Sequence, residues 1–141
     1  MKRNVILSIR GTQHYPEQEP EVIELVTEGT LEYRDKGWDI IYEESELTGL
    51  KGVTTTFRVE GNTITLTRDG GLASQMVFQE GVFHESLYRT DFGFAMMITV
   101  CAGRVKYRLT DDGGFIDLNY AIEIENSTAG YIEYYLDIQA K

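Results

Sequence analysis

The polar residues of this chain that could bind a ligand lie inside segments of alternating apolar and polar residues. Arg68 follows Ile64 and Leu66 at every second position, so all three side chains point to one side of a predicted strand. If that side is the interior of a closed sheet, the guanidinium lies at its rim and can clamp a carboxylate or phosphate bidentately. The alternative is an arginine that pairs with a neighbouring carboxylate, or with loop carbonyls beside Asp69-Gly70.

Residues 83–90 present a second set of polar groups, whose direction depends on the turn at Glu80-Gly81. If the turn has two residues, the side chains that point inward are those of Phe83, Glu85, Leu87 and Arg89. If it has three residues, they are those of His84, Ser86, Tyr88 and Thr90. Polar groups in a sheet interior need a partner, water or a ligand. The candidate ligand-binding residues are therefore Arg68, His84, Tyr88 and Thr90. The structural alternative is a tyrosine hydroxyl bonded to the backbone and a threonine that caps the turn.

The sequence carries no pattern that indicates a metal site or a catalytic nucleophile. Its two histidines, His14 and His84, have no second histidine or cysteine nearby, and His14 falls in an acidic loop. Cys101 lies on an apolar strand beside Ala102-Gly103, a predicted bulge, with no catalytic signature around it. Phosphate-binding loops and dinucleotide fingerprints are absent. We expect no metal, no cofactor and no enzymatic activity.

Length and charge narrow the class of protein further. The 141 residues make a single domain, residues 1–141. Thirteen basic against 23 acidic residues give a net charge of -10, which repels phosphate backbones and anionic lipids, so we expect neither nucleic acid nor membranes as partners. One cysteine excludes an internal disulfide, and no apolar run has the length of a secretory signal or a membrane helix. These features indicate a cytoplasmic protein.

Glycine-centred turn signals divide the chain into short alternating segments, which is typical of antiparallel strands joined in sequence order. With Gly61-Asn62 as a two-residue hairpin loop, Phe57 faces Leu66 and apolar side chains meet across the whole pair.

A second hairpin is predicted around Asp112-Gly113. With these two residues as the loop, Tyr107 faces Leu118 on one side of the sheet and Arg108 faces Asp117 on the other.

About ten such strands follow one another, and they include residues 22–34. Glu24, Glu28 and Glu32 also suit a helix, but β-branched residues and like charges four apart favour a strand. A sheet of this size exposes two edges unless it closes. We therefore predict an all-β fold, a single closed up-and-down antiparallel barrel. Such a barrel is wide enough to be filled by side chains or to hold one small ligand.

Short motifs follow one another from Thr65 to Met97, namely Arg68-x-Gly70, Met76-x-Phe78-x-x-Gly81 and Tyr88-x-Thr90-x-Phe92-Gly93. In this order and spacing they resemble the YwiB-like family of small bacterial proteins of unknown function. The resemblance covers most of the chain, from about Thr54 to Ile138. It implies a calycin-like, lipocalin-like barrel in the cytoplasm and no established activity. Because Tyr88 and Thr90 belong to the motif, it also favours the three-residue turn.

Two functions from different classes fit these observations. The leading hypothesis is non-enzymatic binding of a small, partly apolar molecule inside the barrel, with the candidate polar residues as anchors. The alternative is an interaction protein with a solid core, which docks a protein partner or forms a homodimer through its outer face. Tyr131 and Tyr135 favour that alternative, because they are out of phase with the apolar residues of their strand.

Overall fold

The computed structural model describes residues 2–45, 50–90, 93, 95–125 and 127–141, apart from the side chains of Leu72, Thr90 and Thr128. Ten strands run through these residues: β1 Lys2–His14, β2 Glu21–Arg34, β3 Gly37–Glu43, β4 Thr54–Glu60, β5 Thr63–Asp69, β6 Leu72–Phe78, β7 Phe83–Thr90, β8 Ala95–Thr110, β9 Gly113–Ile124 and β10 Ser127–Ala140. Each strand pairs with its neighbours in chain order, and β1 pairs antiparallel with β10, which closes the sheet. The predicted antiparallel barrel is confirmed, and no described residue is helical.

The segment 22–34 is a strand, as predicted, and not a helix. Its side chains alternate between exposed and covered positions, so that Val26 is 69% exposed whereas Leu31 is 1% exposed. The chain turns from β2 into β3 through Asp35 and Lys36, whose φ angles are 50° and 64°. Positive φ at both central residues is what a tight hairpin of type I′ requires.

A buried carboxylate ties this hairpin to β4. Asp39 is only 3% exposed and accepts a hydrogen bond from Arg34 Nε at 2.5 Å. Arg58 Nη1 lies 3.3 Å from the other carboxylate oxygen, and Arg58 Nη2 donates to the carbonyl oxygens of Arg34 and Asp35 at 3.0 Å each. Two guanidinium groups therefore compensate one buried negative charge, which burial alone would make unfavourable.

The hairpin of β4 and β5 has the predicted register. Phe57 pairs with Leu66 and Val59 pairs with Ile64, around a turn in which Gly61 adopts a φ of 60°. All four paired side chains are buried. The register follows from the alternation, because a slip by one residue would turn this whole apolar set toward solvent.

The predicted register of β8 and β9 is wrong by two residues. Tyr107 pairs with Ile116, not with Leu118, and the loop consists of residues 111 and 112. Gly113, predicted as the second loop residue, instead pairs with Thr110 and Gln139, and an added Cβ there would lie 2.1 Å from the carbonyl oxygen of Ile138. This glycine is needed inside the strand pair, where two backbones approach closely, and so it does not belong to the turn. A shift of two keeps every side chain on its predicted face.

The predicted bulge near Gly103 is present. The register between β8 and β9 shifts between Ala102 and Arg104, and β8 continues through the irregularity as one strand of 16 residues. The extra residue lets the strand bend, so a single long strand spans the full height of the barrel wall.

The ladder between β6 and β7 is short. Among the described residues these strands pair at two positions, Leu72 with Thr90 and Ala73 with Arg89. This register corresponds to the three-residue turn, and the residues directed inward are His84, Ser86 and Tyr88, which are each partly buried. Phe83, at 66%, and Leu87, at 42%, are exposed on the outer face.

The connection from β6 to β7 is attached to β8 instead. The Gly81 amide donates to the Ala102 carbonyl oxygen at 2.9 Å, and the Glu80 carboxylate accepts from the Val105 amide at 3.1 Å. These bonds hold residues 79–82 against β8, so the barrel stays closed where the ladder between β6 and β7 is interrupted.

The apolar core fills one end of the barrel. Along β1 the inward residues Val5 and Leu7 are fully buried, whereas Gly11 and Gln13, further along the same strand, line a cavity. The other strands also place their fully buried apolar side chains at this end of the barrel. The largest of these side chains include Phe57, Phe78, Leu31, Ile40, Ile64, Ile116, Leu118, Leu136 and Ile138. The barrel is therefore packed in one half and hollow in the other.

Candidate ligand-binding cavity

The hollow half of the barrel encloses a cavity of about 320 Å³. Most of its wall is apolar, and the aliphatic and methionine side chains that line it are Ile9, Ile23, Leu25, Leu50, Met76, Ile98, Ile122 and Ile132. Ligand pockets in proteins typically span ~300–1,000 Å³ and combine an apolar wall with a few polar groups. The cavity lies at the small end of this range.

Small residues at inward positions help to keep this half hollow. Gly11 stands where the alternation of β1 would otherwise place a large side chain, and an added Cβ there would meet Tyr134 only at an ordinary contact distance of 3.8 Å. Ser74 has the corresponding position on β6. At the filled end the same strands carry Leu7 and Phe78 at inward positions, which explains the contrast between the two halves.

A charged pair forms the polar side of the cavity. Arg68, at the end of β5, places Nε 3.8 Å from Glu44 Oε2, and the Glu44 side chain is only 2% exposed. Thr55 on β4 donates from Oγ1 to the same carboxylate oxygen at 2.5 Å. Arg68 Nε is buried and has no hydrogen-bond partner among the described residues. The two groups therefore form an ion pair, but the distance is too long for a hydrogen bond, and the Nε–H of Arg68 has no acceptor among the described residues.

Three tyrosines surround this pair: Tyr42 and Tyr120 are buried, and Tyr134 is partly buried. The hydroxyl oxygens of Tyr42 and Tyr134 lie 3.3 Å apart. Burial, and secondly the negative charge of Glu44, raise the pKa of Tyr42 to about 12. Burial also raises the pKa of Tyr134 and that of Tyr120 above the ordinary value for a phenol. All three hydroxyls therefore remain protonated and uncharged at neutral pH.

Two of the predicted site residues line the cavity. Arg68 and Tyr88 both contribute to its wall. His84 does not: it lies half-buried near the start of β7, where its Nε2 is 3.3 Å from Gln79 Oε1. The side chain of Thr90 lies outside the described residues, so its predicted role stays a prediction.

Sequence reasoning missed the residues that complete the polar side of the cavity, Tyr42, Glu44 and Tyr134. A signal for two of them was present, since Tyr42 and Glu44 continue the inward phase that begins at Ile40. An inward glutamate at the end of an apolar alternation requires a cation, and the phase of β5 predicts that Arg68 points inward as well.

Other kinds of site find no support in the part of the chain that the structure describes. No three His, Cys, Asp or Glu side chains among the described residues come together so as to hold a metal ion. Cys101 pairs with the exposed Phe83 and lies on the wall outside the cavity. No helix with the length and apolarity of a membrane span occurs among the described residues.

Fold and site together define a closed ten-stranded antiparallel β-barrel with an internal, mostly apolar cavity. The chain belongs to the family described as a domain of unknown function (DUF1934), which matches residues 7–138. The crystal structure of the ywiB protein from Bacillus subtilis has the same fold, with a TM-score of 0.80 and 18% sequence identity over 96% of this chain and 92% of that one. The predicted YwiB-like resemblance is confirmed. A comparison with curated proteins found no match.

Proposed function

We propose that the protein binds a small, partly apolar molecule in the hollow half of the barrel and does not act as an enzyme. The observation that carries this proposal is the cavity of about 320 Å³, with its apolar wall and its polar group at Arg68. A volume of this size corresponds to roughly ten water molecules, each with a share of ~30 Å³ in the liquid. Release of water from an apolar wall favours binding of an apolar body.

The buried polar groups would fix the orientation of such a molecule. Within the described part of the chain, Arg68 Nε has no hydrogen-bond partner, and a buried donor without an acceptor costs roughly 1–3 kcal/mol. A bound molecule that supplies an acceptor there would recover this cost. Tyr88 contributes a further polar side chain to the wall.

Thermal unfolding with matched ligands tests the proposal. Octanamide combines a seven-carbon alkyl chain with a carbonyl acceptor, and at ten times its Kd it should stabilise the barrel by about 1.4 kcal/mol through mass action. The expected result is a rise in Tm that saturates with concentration. Native mass spectrometry should show one molecule bound per chain.

A pair of variants on one strand shows whether binding occurs in the cavity. Gly11→Leu adds a side chain to the cavity wall without backbone strain, because Gly11 has no positive φ and its Cβ position is open. Thr12→Leu adds a similar apolar side chain on the opposite face of β1. Binding should be lost in Gly11→Leu and kept in Thr12→Leu. If neither octanamide nor a broader set of apolar molecules shifts the Tm of the wild type, the proposed function is wrong.

A further inference from the structure

The two charges in the cavity wall balance each other. Among the described residues that line the cavity, Arg68 and Glu44 are the charged ones. Glu44 is held in the wall by Thr55, and its side chain is 2% exposed. The positive charge of Arg68 is thus already compensated by a carboxylate that belongs to the protein itself.

This balance changes which ligand the guanidinium can accept. An arginine without a counter-ion would take a carboxylate or phosphate, as the sequence alone suggests. With Glu44 present, an anionic head group next to Arg68 would bring a second negative charge into a poorly solvated space. The net charge of -10 on the whole chain opposes an anion further. An uncharged acceptor avoids both costs and can still bond to the free N–H of Arg68.

We propose that Glu44 is a specificity-determining residue: it neutralises Arg68 and thereby restricts the cavity to uncharged molecules whose polar group is a hydrogen-bond acceptor such as a carbonyl. This inference rests on the proposed function. Glu44 acts through exclusion, since the carboxylate that compensates the arginine also repels ligands of its own charge.

The test compares two ligands of equal shape on two forms of the protein. Octanamide and octanoate share their apolar body and differ in the charge of the head group. For the wild type at neutral pH we expect octanamide to bind about tenfold more tightly or better, measured by calorimetry. In Glu44→Gln the order should reverse, with a gain of about tenfold in octanoate affinity, because Arg68 then lacks its counter-ion. The glutamine can still accept the hydrogen bond from Thr55.

Glu43→Gln is the matched control. It removes the same charge from the neighbouring residue, whose side chain is exposed and does not line the cavity. Octanamide should remain the preferred ligand in this variant. A gain in octanoate affinity equal to that of Glu44→Gln would mean that the overall charge, and not Glu44, sets the preference, and would overturn the inference.

The outcomes separate the two proposals. If the wild type binds octanoate as tightly as octanamide, the inference about Glu44 is wrong while interior binding stands. If it binds neither, the proposed function itself fails. The wild-type comparison needs no substitution, so it can overturn the inference even where Glu44→Gln does not fold. The double variant Glu44→Gln, Arg68→Gln should lose the preference for octanoate, and a preference that persisted would contradict the role given to Arg68.

Discussion

Two buried carboxylates lie on opposite faces of the barrel wall, and they differ in what they contribute to the protein. Asp39 lies beneath the hairpin of β2 and β3, where Arg34 and Arg58 enclose it on the outer face. Glu44 lies on the cavity side, where its contacts include Arg68 and Thr55. The first is compensated by two guanidinium groups and stabilises the fold, although Arg58 Nη1 beside it has no hydrogen-bond partner among the described residues. The second lines the cavity together with Arg68, whose Nε likewise has no partner among those residues, which is why it concerns ligand binding.

The buried tyrosines make stability depend on pH in the alkaline range. An unfolded tyrosine has a pKa of about 10, whereas burial holds the folded pKa of Tyr42 at about 12 and that of Tyr134 above its ordinary value. Below pH ~10 both states are protonated and these groups contribute no slope. From about pH 10 to about 12 the unfolded state loses the proton first, so the free energy of unfolding should fall by up to ~1.4 kcal/mol per pH unit for each such tyrosine.

Urea unfolding at pH 9, 10.5 and 11.5 measures this effect. Tyr42→Phe should make the slope above pH 10 shallower, because one buried phenol no longer titrates. Tyr131→Phe is the same chemical change at a side chain that is 40% exposed on the outer face. A slope that Tyr42→Phe leaves unchanged would contradict the assignment of the alkaline transition to the cavity tyrosines.

Strands of the barrel differ in how firmly they are paired. The hairpin of β4 and β5 pairs along its whole length, from Thr54 with Asp69 to Glu60 with Thr63. Between β6 and β7 the described pairing stops after Ala73 and Arg89. The interruption leaves backbone groups on both strands without a ladder partner, which is the usual condition of a sheet edge.

Native-state hydrogen exchange should reveal this difference. We expect the amides of residues 84–88 that face β6 to exchange about tenfold faster or more than those between β4 and β5, since their local opening requires no ladder bonds to break. Amides of the same segment that face β8 serve as the internal control, because β7 and β8 pair from Phe83 to Arg89. Equal protection on both sides of β7 would show that β6 and β7 are joined by a full ladder.

The barrel as a whole is neither a solid core nor an open shell. Its filled half has a packed apolar interior, and its hollow half contains a cavity of about 320 Å³. The outer wall also carries aromatic side chains, with Tyr131 at 40% and Tyr135 at 43% exposure, and Phe115 stacked on Tyr135 at 5.9 Å between ring centres. Self-association through this outer face remains the alternative to ligand binding.

Sedimentation of the double variant Tyr131→Ser, Tyr135→Ser tests this outer face. Both side chains lie outside the core, so the barrel should remain folded, with a circular dichroism spectrum like that of the wild type. Any dimer that the wild type forms should be lost, because the aromatic contact area is removed. A dimer that survives the substitutions would exclude this face as the interface, and a wild type that stays monomeric at high concentration would contradict self-association altogether.

Much of the fold could be read from the sequence because it depends on local order along the chain. Alternation assigns each side chain to one face of its strand, and short turns join neighbours in sequence, so the number of strands and the closure of the barrel follow. The register of the hairpin at Gly61 followed as well. The register at Gly113 did not, because the close approach of the Ile138 carbonyl that requires this glycine exists only once the strands are paired.

The cavity site depended on contacts between residues that are distant in the sequence. Arg68 and Tyr88 could be predicted to point inward from their phase, but the position of His84 at the opposite end of β7 could not. Glu44 approaches Arg68, and Tyr42 approaches Tyr134, only across a closed barrel. The volume of the cavity likewise depends on side chains from many strands. The sequence by itself therefore determined which face each residue occupies, while the tertiary structure decided which residues meet, because closure brings the ends of distant strands together.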